Sequence, residues 1–318
     1  MIKFRRIIIG LLAVLLCGTF MSCGSNSIAN DGKITVVATN FALYDFARAV
    51  CGDSCDVRML LSPGSESHDF EATLEDIALL AETDVFVYVG GEGEEWVPDV
   101  LEAAGASDVV QVRALDLVET YITAGTESGH EHEHSADDGH HHETDEHVWT
   151  SIPNAITIMD AIRQGILRVD EWFDFDVEAN NAYIAELLDI DADIRRTVEA
   201  SVQDTVIFAD RFPFRYFTEE YGLEYCAAFD GCSSAVEPSL SVINTLIERV
   251  EETGSTAVFS IEFSDRKTAE AVARETDADI LEFHSAHNVS KAEFESGITY
   301  ADIMRKNAEN LKIALNVN

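Results

Sequence analysis

The chain has 318 residues, a hydrophobic share of 47% and a formal net charge of −38 at pH 7. This length accommodates about two domains, and the apolar share is ordinary for a protein with a buried core. Nucleic acid is excluded as a partner because phosphate binding needs clustered Lys and Arg, whereas a strongly acidic surface attracts cations.

The first residues resemble the signal of a bacterial lipoprotein. Three basic residues among the first six precede an apolar run at 7–16, and the small residue Ser22 stands directly before Cys23. This pattern predicts a signal peptide over residues 1–22 and acylation of Cys23, so the protein would be extracytoplasmic and lipid-anchored to the bacterial cell membrane. The alternative is an uncleaved anchor, but the apolar run is short for a membrane span.

Residues 23–33 are small and polar and predict a flexible tether, after which residues 34–175 are predicted to form an N-terminal α/β lobe. Short β-branched runs predict strands, and amphipathic stretches between them predict helices. In chain order these are strand 34–40, helix 41–50, strand 57–61, helix 74–81, strand 85–89, helix 95–104 and strand 109–113. Strands that alternate with helices predict a parallel sheet covered on both faces.

A second lobe is predicted over residues 203–318. Helical patterns at 155–169 and 177–202 interrupt the alternation, and residues 176–202 are interpreted as a linking helix. The alternation resumes with strands at 206–208, 224–229, 257–261 and 280–283 and helices at 214–221, 242–252, 267–275 and 300–315. The predicted fold class is α/β, with two lobes joined by one long helix and a ligand site in the cleft. One larger continuous sheet is the alternative, and the long helical break argues against it.

The loop at 130–147 lies in the N-terminal lobe and contains seven of the ten histidines and seven acidic residues, with no Lys or Arg. No hydrophobic period runs through residues 130–142, so a packed element is not expected there. Imidazole is the commonest metal ligand, and we interpret this tract as an accessory metal collector. The alternative is a solvated acidic loop or spacer without a metal role. The predicted collector histidines are His130, His132, His134, His140, His141 and His142.

Isolated histidines follow predicted strands in both lobes. His68 follows the strand at 57–61, His147 precedes a helix, and His284 and His287 come directly after the last strand. Each one alone is ordinary for a polar loop, but several similar placements favour a shared metal centre. We predict that His68, His147 and His284 bind one metal ion. Imidazole ligands suit Zn(II), whereas Mn(II), which prefers carboxylates, is less expected.

Three motifs make the chain similar to the zinc and manganese substrate-binding lipoproteins of ABC transporters, over nearly all of the mature chain. They are Ser67–Glu71, Glu146–Trp149, and Tyr300–Met304 with Asn307. The His-rich acidic loop resembles that of the zinc-selective members. The resemblance implies that the protein is not an enzyme. It implies a monomer that captures Zn(II), delivers it to an ABC permease and contacts the membrane only through its lipid anchor.

One departure from the family pattern matters for the metal ligands. The family's third ligand, a His or Glu, corresponds to Arg211, whose guanidinium stays protonated and is not a ligand. His284 stands where the family usually has Asp, so the second lobe's ligand is predicted to have moved to that loop. Candidates for a fourth ligand are Asp210, Glu262 and His287, and Arg211 is a candidate for orienting a carboxylate. Asp210 and Arg211 could instead form a buried structural ion pair.

Four cysteines remain in the body of the chain after the predicted signal peptide and Cys23. Cys51 lies near Cys55 and Cys226 near Cys232, so each pair could form a local disulfide outside the cytoplasm or stay reduced and buried.

A zinc-dependent hydrolase is one alternative function, although the chain has neither an HExxH motif nor a nucleophile elbow. A metal-binding adhesin or storage protein at the cell surface is another.

Overall fold

Two parallel four-stranded sheets organise the structure, a computed structural model that describes residues 32–65, 70–121, 144–229 and 237–317. The first contains β1 (Ile34–Ala38), β2 (Cys55–Met59), β3 (Val85–Tyr88) and β4 (Val110–Arg113), in spatial order β2-β1-β3-β4. The second contains β5 (Thr205–Phe208), β6 (Glu224–Ala227), β7 (Ala257–Ser260) and β8 (Asp279–Glu282), in the equivalent order β6-β5-β7-β8. All paired strands are parallel, which confirms the predicted α/β class.

Ten α-helices connect and cover the sheets within the described residues. In chain order they are α1 (Phe41–Cys51), α2 (Leu74–Leu80), α3 (Val97–Ala104), α4 (Ile152–Val169), α5 (Val177–Ala200), α6 (Arg215–Tyr221), α7 (Leu240–Thr253), α8 (Lys267–Thr276), α9 (Lys291–Ser296) and α10 (Tyr300–Ala314). Most follow the predicted bounds within a few residues. The short helix α9 was not predicted, although Ser290 and Glu293 form a capping box that could have signalled it.

The core runs without interruption from one sheet to the other. The central strand β1 buries Val36, Val37 and Ala38 completely, as expected for a parallel strand covered on both faces. A single apolar cluster includes Val36 from the first sheet and Phe208 and Phe259 from the second. Residues 34–318 accordingly form one packed unit. The exact domain boundaries named above stay a prediction.

A buried carboxylate joins three helices at the centre of this unit. Asp45 on α1 accepts hydrogen bonds from the hydroxyl of Tyr183 on α5, at 2.6 Å, and from the backbone N–H of Tyr300 at the start of α10, at 2.8 Å. Burial raises the pKa of Asp45 although both hydrogen bonds favour its charged form. The long helix α5 is therefore bound to both halves of the chain through one side chain.

No helix among the described residues combines the length and the apolar character needed to cross a membrane. The predicted signal peptide over 1–22, the predicted acylation site Cys23 and most of the predicted tether lie outside those residues.

We expect Asp45→Ala to destabilise the protein by roughly 1–3 kcal/mol, because Tyr183 and Tyr300 would each lose an acceptor inside the core. The measurement is equilibrium unfolding in urea by circular dichroism. Asp53→Ala is the matched control, because Asp53 is exposed and should change stability by no more than about 0.5 kcal/mol. Equal stability of the two variants would contradict this account of the three-helix junction.

Candidate metal centre

His147 is held in a defined orientation by a buried carboxylate two residues earlier. Asp145 accepts the backbone N–H of His147 at 2.8 Å, and the same oxygen lies 3.0 Å from Nδ1 of the imidazole. Both side chains are buried. A carboxylate beside Nδ1 favours the tautomer with a proton on Nδ1, which leaves the Nε2 lone pair available to a metal ion.

His287 lies against His147 from the other half of the chain. Their ring centroids are 5.6 Å apart with planes at 70°, and each ring also contacts the indole of Trp149. Zinc–nitrogen bonds of about 2.0–2.1 Å allow one ion to bind two imidazoles at this separation. The structure therefore brings together one predicted ligand, His147, and one residue that was predicted only as a possible fourth ligand, His287.

His284 has a different environment. Its Nδ1 accepts the backbone N–H of Ala286 at 2.9 Å, while its own backbone N–H donates to the side chain of Asn307 at 2.9 Å. Because Nδ1 is an acceptor, the proton of the neutral ring is on Nε2, and Nε2 is buried with no hydrogen-bond partner among the described residues. These contacts shape the loop that carries His287.

The two candidate carboxylates of the second half are engaged by protein groups. Glu262 accepts the backbone N–H of Ser285 at 2.8 Å and also its hydroxyl, and it lies 3.7 Å from Nδ1 of His284. Asp210 accepts the backbone N–H groups of Arg211 at 2.8 Å and of Ile261 at 3.4 Å. Both carboxylates thus accept hydrogen bonds from loop residues, and Glu262 does so in the loop that carries His284 and His287.

A cavity of about 40 Å³ opens beside His287 and is large enough for a water molecule or an ion. Its wall includes Asn40, Glu94, Glu146, Trp149 and His287. The side-chain nitrogen of Asn40 is buried without a hydrogen-bond partner in the described part of the chain. The cavity therefore offers polar groups to an occupant.

A glycine-rich turn after β3 holds the two acidic residues of this cavity. Glu146 accepts the backbone N–H of Gly93 at 2.8 Å, and Glu94 accepts that of Gly90 at 2.7 Å. A Cβ atom at Gly91 would lie 2.0 Å from the Glu146 carboxylate, so only glycine permits this approach. Burial raises the pKa of Glu94 to about 7, and the neighbouring charge of Glu146 acts in the same direction.

Several predicted site residues lie outside the described residues. They are His68, the six collector histidines at 130–142, Cys23 and Cys232. Among the residues the structure does describe, no three His, Cys, Asp or Glu side chains converge in a metal-binding arrangement. The pair of His147 and His287 is incomplete without further ligands, and the predicted ligand His68 comes from the segment 66–69 that is not described.

Three cysteines are free thiols in the structure. Cys51 donates to the carbonyl of Ala47 at 3.1 Å, and hydrogen bonding with Cys55 together with burial raises the pKa of the Cys51 thiol. Cys226 is half-buried. Both disulfides stay a prediction.

Sequence reasoning missed two acidic residues near the pair, Asp145, which orients His147, and Glu94, which lines the cavity. Asp145 could have been found from its position two residues before His147 within an acidic motif. Glu94 had no comparable signal, because it belongs to a turn far away in the chain that only the fold brings to the cavity.

The chain matches a family model described as "Zinc-uptake complex component A periplasmic" over residues 36–314. The curated zinc uptake protein ZnuA of Bacillus subtilis is 31% identical over 311 residues, which cover 96% of this chain and 94% of that protein. The zinc-binding protein AdcA of Streptococcus pyogenes is 29% identical over 301 residues, which cover 92% of this chain but 58% of AdcA. This chain therefore spans less than two thirds of the AdcA proteins that it matches.

Among solved structures, the metal-dependent lipoprotein YcdH of Bacillus subtilis superimposes with a TM-score of 0.72 at 29% identity. The superposition covers 89% of this chain and 99% of YcdH. The two-lobed architecture described above is therefore shared with a metal-dependent lipoprotein along almost its whole length.

We expect the stability of the metal-free protein to fall as pH rises, through Glu94. Its folded-state pKa of about 7 exceeds the ordinary value of 4.5, so the folded state holds the proton more tightly. This contribution is fully present below pH 4.5 and is lost as pH rises through about 7. In the unsubstituted protein the free energy of unfolding should fall by roughly 1–3 kcal/mol between about pH 5 and about pH 8, since one pKa unit is about 1.4 kcal/mol. Glu94→Gln should abolish this fall.

Urea unfolding of both proteins at the two pH values measures this difference, and Glu95→Gln, an exposed neighbour, is the control. If Glu94→Gln kept the pH dependence of the unsubstituted protein, the raised pKa assigned to Glu94 would be wrong.

Proposed function

Since the chain belongs to the family of periplasmic zinc-uptake complex component A proteins, we propose that it captures Zn(II) outside the cytoplasm and delivers it to an ABC transporter permease. Its role is binding and release of an ion, without a chemical reaction. The acidic surface raises the local concentration of cations near the binding site.

The observation that supports this function best is the contact between His147 and His287. The two imidazoles come from different halves of the chain, and their ring centroids are 5.6 Å apart. Asp145 favours the tautomer of His147 that can bind a metal ion. An ion bound by both rings would join the halves, which is how a two-lobed protein couples its conformation to its cargo.

We propose His68, His147 and His287 as the histidine ligands of Zn(II), with the fourth position taken by a carboxylate or water. His287 is preferred to His284, the ligand that the sequence predicts, because His287 contacts His147, while Nδ1 of His284 accepts a backbone N–H. Asp210 and Glu262 remain weaker candidates for the fourth ligand, because both already accept hydrogen bonds from backbone amides.

The working form of the protein follows from the same proposal. Acylation of Cys23 would hold a monomer at the outer face of the cell membrane, and residues 23–33 would let it reach the permease. The histidine tract at 130–142 would gather zinc weakly, because a flexible segment loses chain entropy when it wraps an ion. The tight site would then draw zinc from this pool.

Matched asparagine variants distinguish the two histidines of the second half. In His284→Asn the amide oxygen can still accept the Ala286 N–H, so we expect zinc affinity within about threefold of the unsubstituted protein. His287→Asn should weaken zinc by at least about tenfold, since removal of even a supporting group around a metal ligand costs 10–100-fold. Competition with a chromogenic chelator measures both affinities.

The reverse order of effects would restore His284 as the ligand and remove His287 from the site. Unchanged affinity in both variants and in His147→Asn would overturn the proposed zinc site as a whole.

Deletion of residues 130–142 separates the tract from the tight site. We expect one tightly bound zinc per protein to remain and the weaker bound ions to disappear, because His147 is retained. Zinc titration by calorimetry gives both stoichiometries. Identical titrations of the intact and deleted proteins would mean that the tract is a spacer, and loss of the tight site would mean that the tract supplies one of its ligands.

A further inference from the structure

A second, larger cavity lies between α4 and α5 and shares no lining residue with the cavity beside His287. Its volume is about 370 Å³, within the range of roughly 300–1,000 Å³ that is typical of small-molecule sites. It belongs to neither the metal centre nor the proposed zinc function, so it needs a separate explanation.

One wall of this cavity is apolar. Ile156 and Met159 on α4, Ile184 on α5 and the ring of Phe175 in the connecting turn line it. Such a surface favours an aliphatic or aromatic group of a ligand, at about 25 cal/mol per Å² of apolar surface removed from water.

The polar side of the cavity contains the side-chain amide of Asn180. Asn180 is 92% buried and lines the cavity, and among the described residues its side chain makes no hydrogen bond. The amide atoms of Asn180 are not sealed from solvent, so they reach the space of the cavity and can donate to and accept from an occupant. This side chain therefore points to a polar group in the occupant.

Two opposite charges stand side by side at the rim. Nε of Arg163 lies 3.5 Å from the carboxylate of Asp160, a long contact between two side chains that are 43% and 65% exposed. Such an exposed pair is worth little, so either group can turn to a ligand at small cost. The guanidinium also lies over the ring of Phe175, 5.8 Å from its centroid. Both charges thus adjoin the apolar wall.

We propose that this cavity binds a free α-amino acid with a large apolar side chain. The ligand carboxylate pairs with the guanidinium fork of Arg163, and its ammonium group pairs with Asp160. The side chain of the ligand packs on the apolar wall, and the amide of Asn180 hydrogen-bonds the ammonium or carboxylate group of the ligand. Neither a purely apolar molecule nor a simple carboxylate uses both charges at the rim.

Calorimetry with the full chain tests the proposal, with L-phenylalanine as the probe. We expect one molecule to bind per chain, equally well with and without zinc. 3-Phenylpropionate lacks the ammonium group and 2-phenylethylamine lacks the carboxylate, so each should bind at least about tenfold more weakly, equivalent to about 1.4 kcal/mol. Arg163→Gln should cause a similar loss for L-phenylalanine.

The matched control is Arg168→Gln on the same helix, since Arg168 is exposed and does not line the cavity, and it should leave binding unchanged. Ile184→Trp, which fills the apolar side, gives a second way to abolish binding, with folding checked by circular dichroism.

Three results that do not involve zinc would overturn the proposal. They are the absence of binding of both L-phenylalanine and L-leucine at about 10 mM, well above a weak dissociation constant of 1 mM, equal binding of 3-phenylpropionate, and undiminished binding by Arg163→Gln. Binding that required zinc would place the amino acid on the metal ion in the cleft and would equally exclude this cavity.

Discussion

The indole of Trp149 is the connection on which the candidate metal centre depends. The indole N–H donates to the carbonyl of Ser285 at 2.7 Å, and the backbone carbonyl of Trp149 accepts the hydroxyl of Tyr300 at 2.6 Å. The side chain is completely buried, so these hydrogen bonds form away from water and the polar groups have no alternative partners. Trp149 thereby fixes the segment of His147 against the loop of His287, and its ring contacts both imidazoles.

The loop that follows β8 is fastened to the first half of the chain at three further points. The carbonyl of His287 accepts the N–H of Phe41 at 2.9 Å, and the carbonyl of Val289 accepts that of Gly64 at 2.8 Å. The amide of Asn288 donates to the carbonyls of Ser62 and Ser65 at 2.9 and 2.8 Å. Ser62 and Ser65 precede the predicted ligand His68 in the chain. Because the fold already restrains this loop, the loop loses less conformational entropy when an ion binds.

Backbone strain accompanies this restraint. Ala286, between the two histidines of the loop, has a φ of 59°, in the left-handed region that residues other than glycine rarely adopt. Glu262 holds Ser285 on one side of it, and Nδ1 of His284 accepts the N–H of Ala286 itself. Neighbouring groups therefore compensate the cost of an unfavourable conformation, as is common at binding sites. This turn carries His287, whose ring lies against His147 from the other half of the chain.

The sequence by itself determined the fold class, most element bounds and the family, because alternation of β-branched and amphipathic segments is a local property that parallel sheets require. It also located His147, whose acidic neighbour Asp145 is close in the chain. The proposal of His287 in place of His284 rests on tertiary structure alone. Both follow the same strand, and a loop has no period from which the direction of a side chain can be derived. Hydrogen bonds of this loop with Glu262, Asn307 and Phe41, all distant in sequence, hold its backbone. Glu94 reaches the cavity for the same reason, since parallel strands far apart in the chain end at one edge of a sheet.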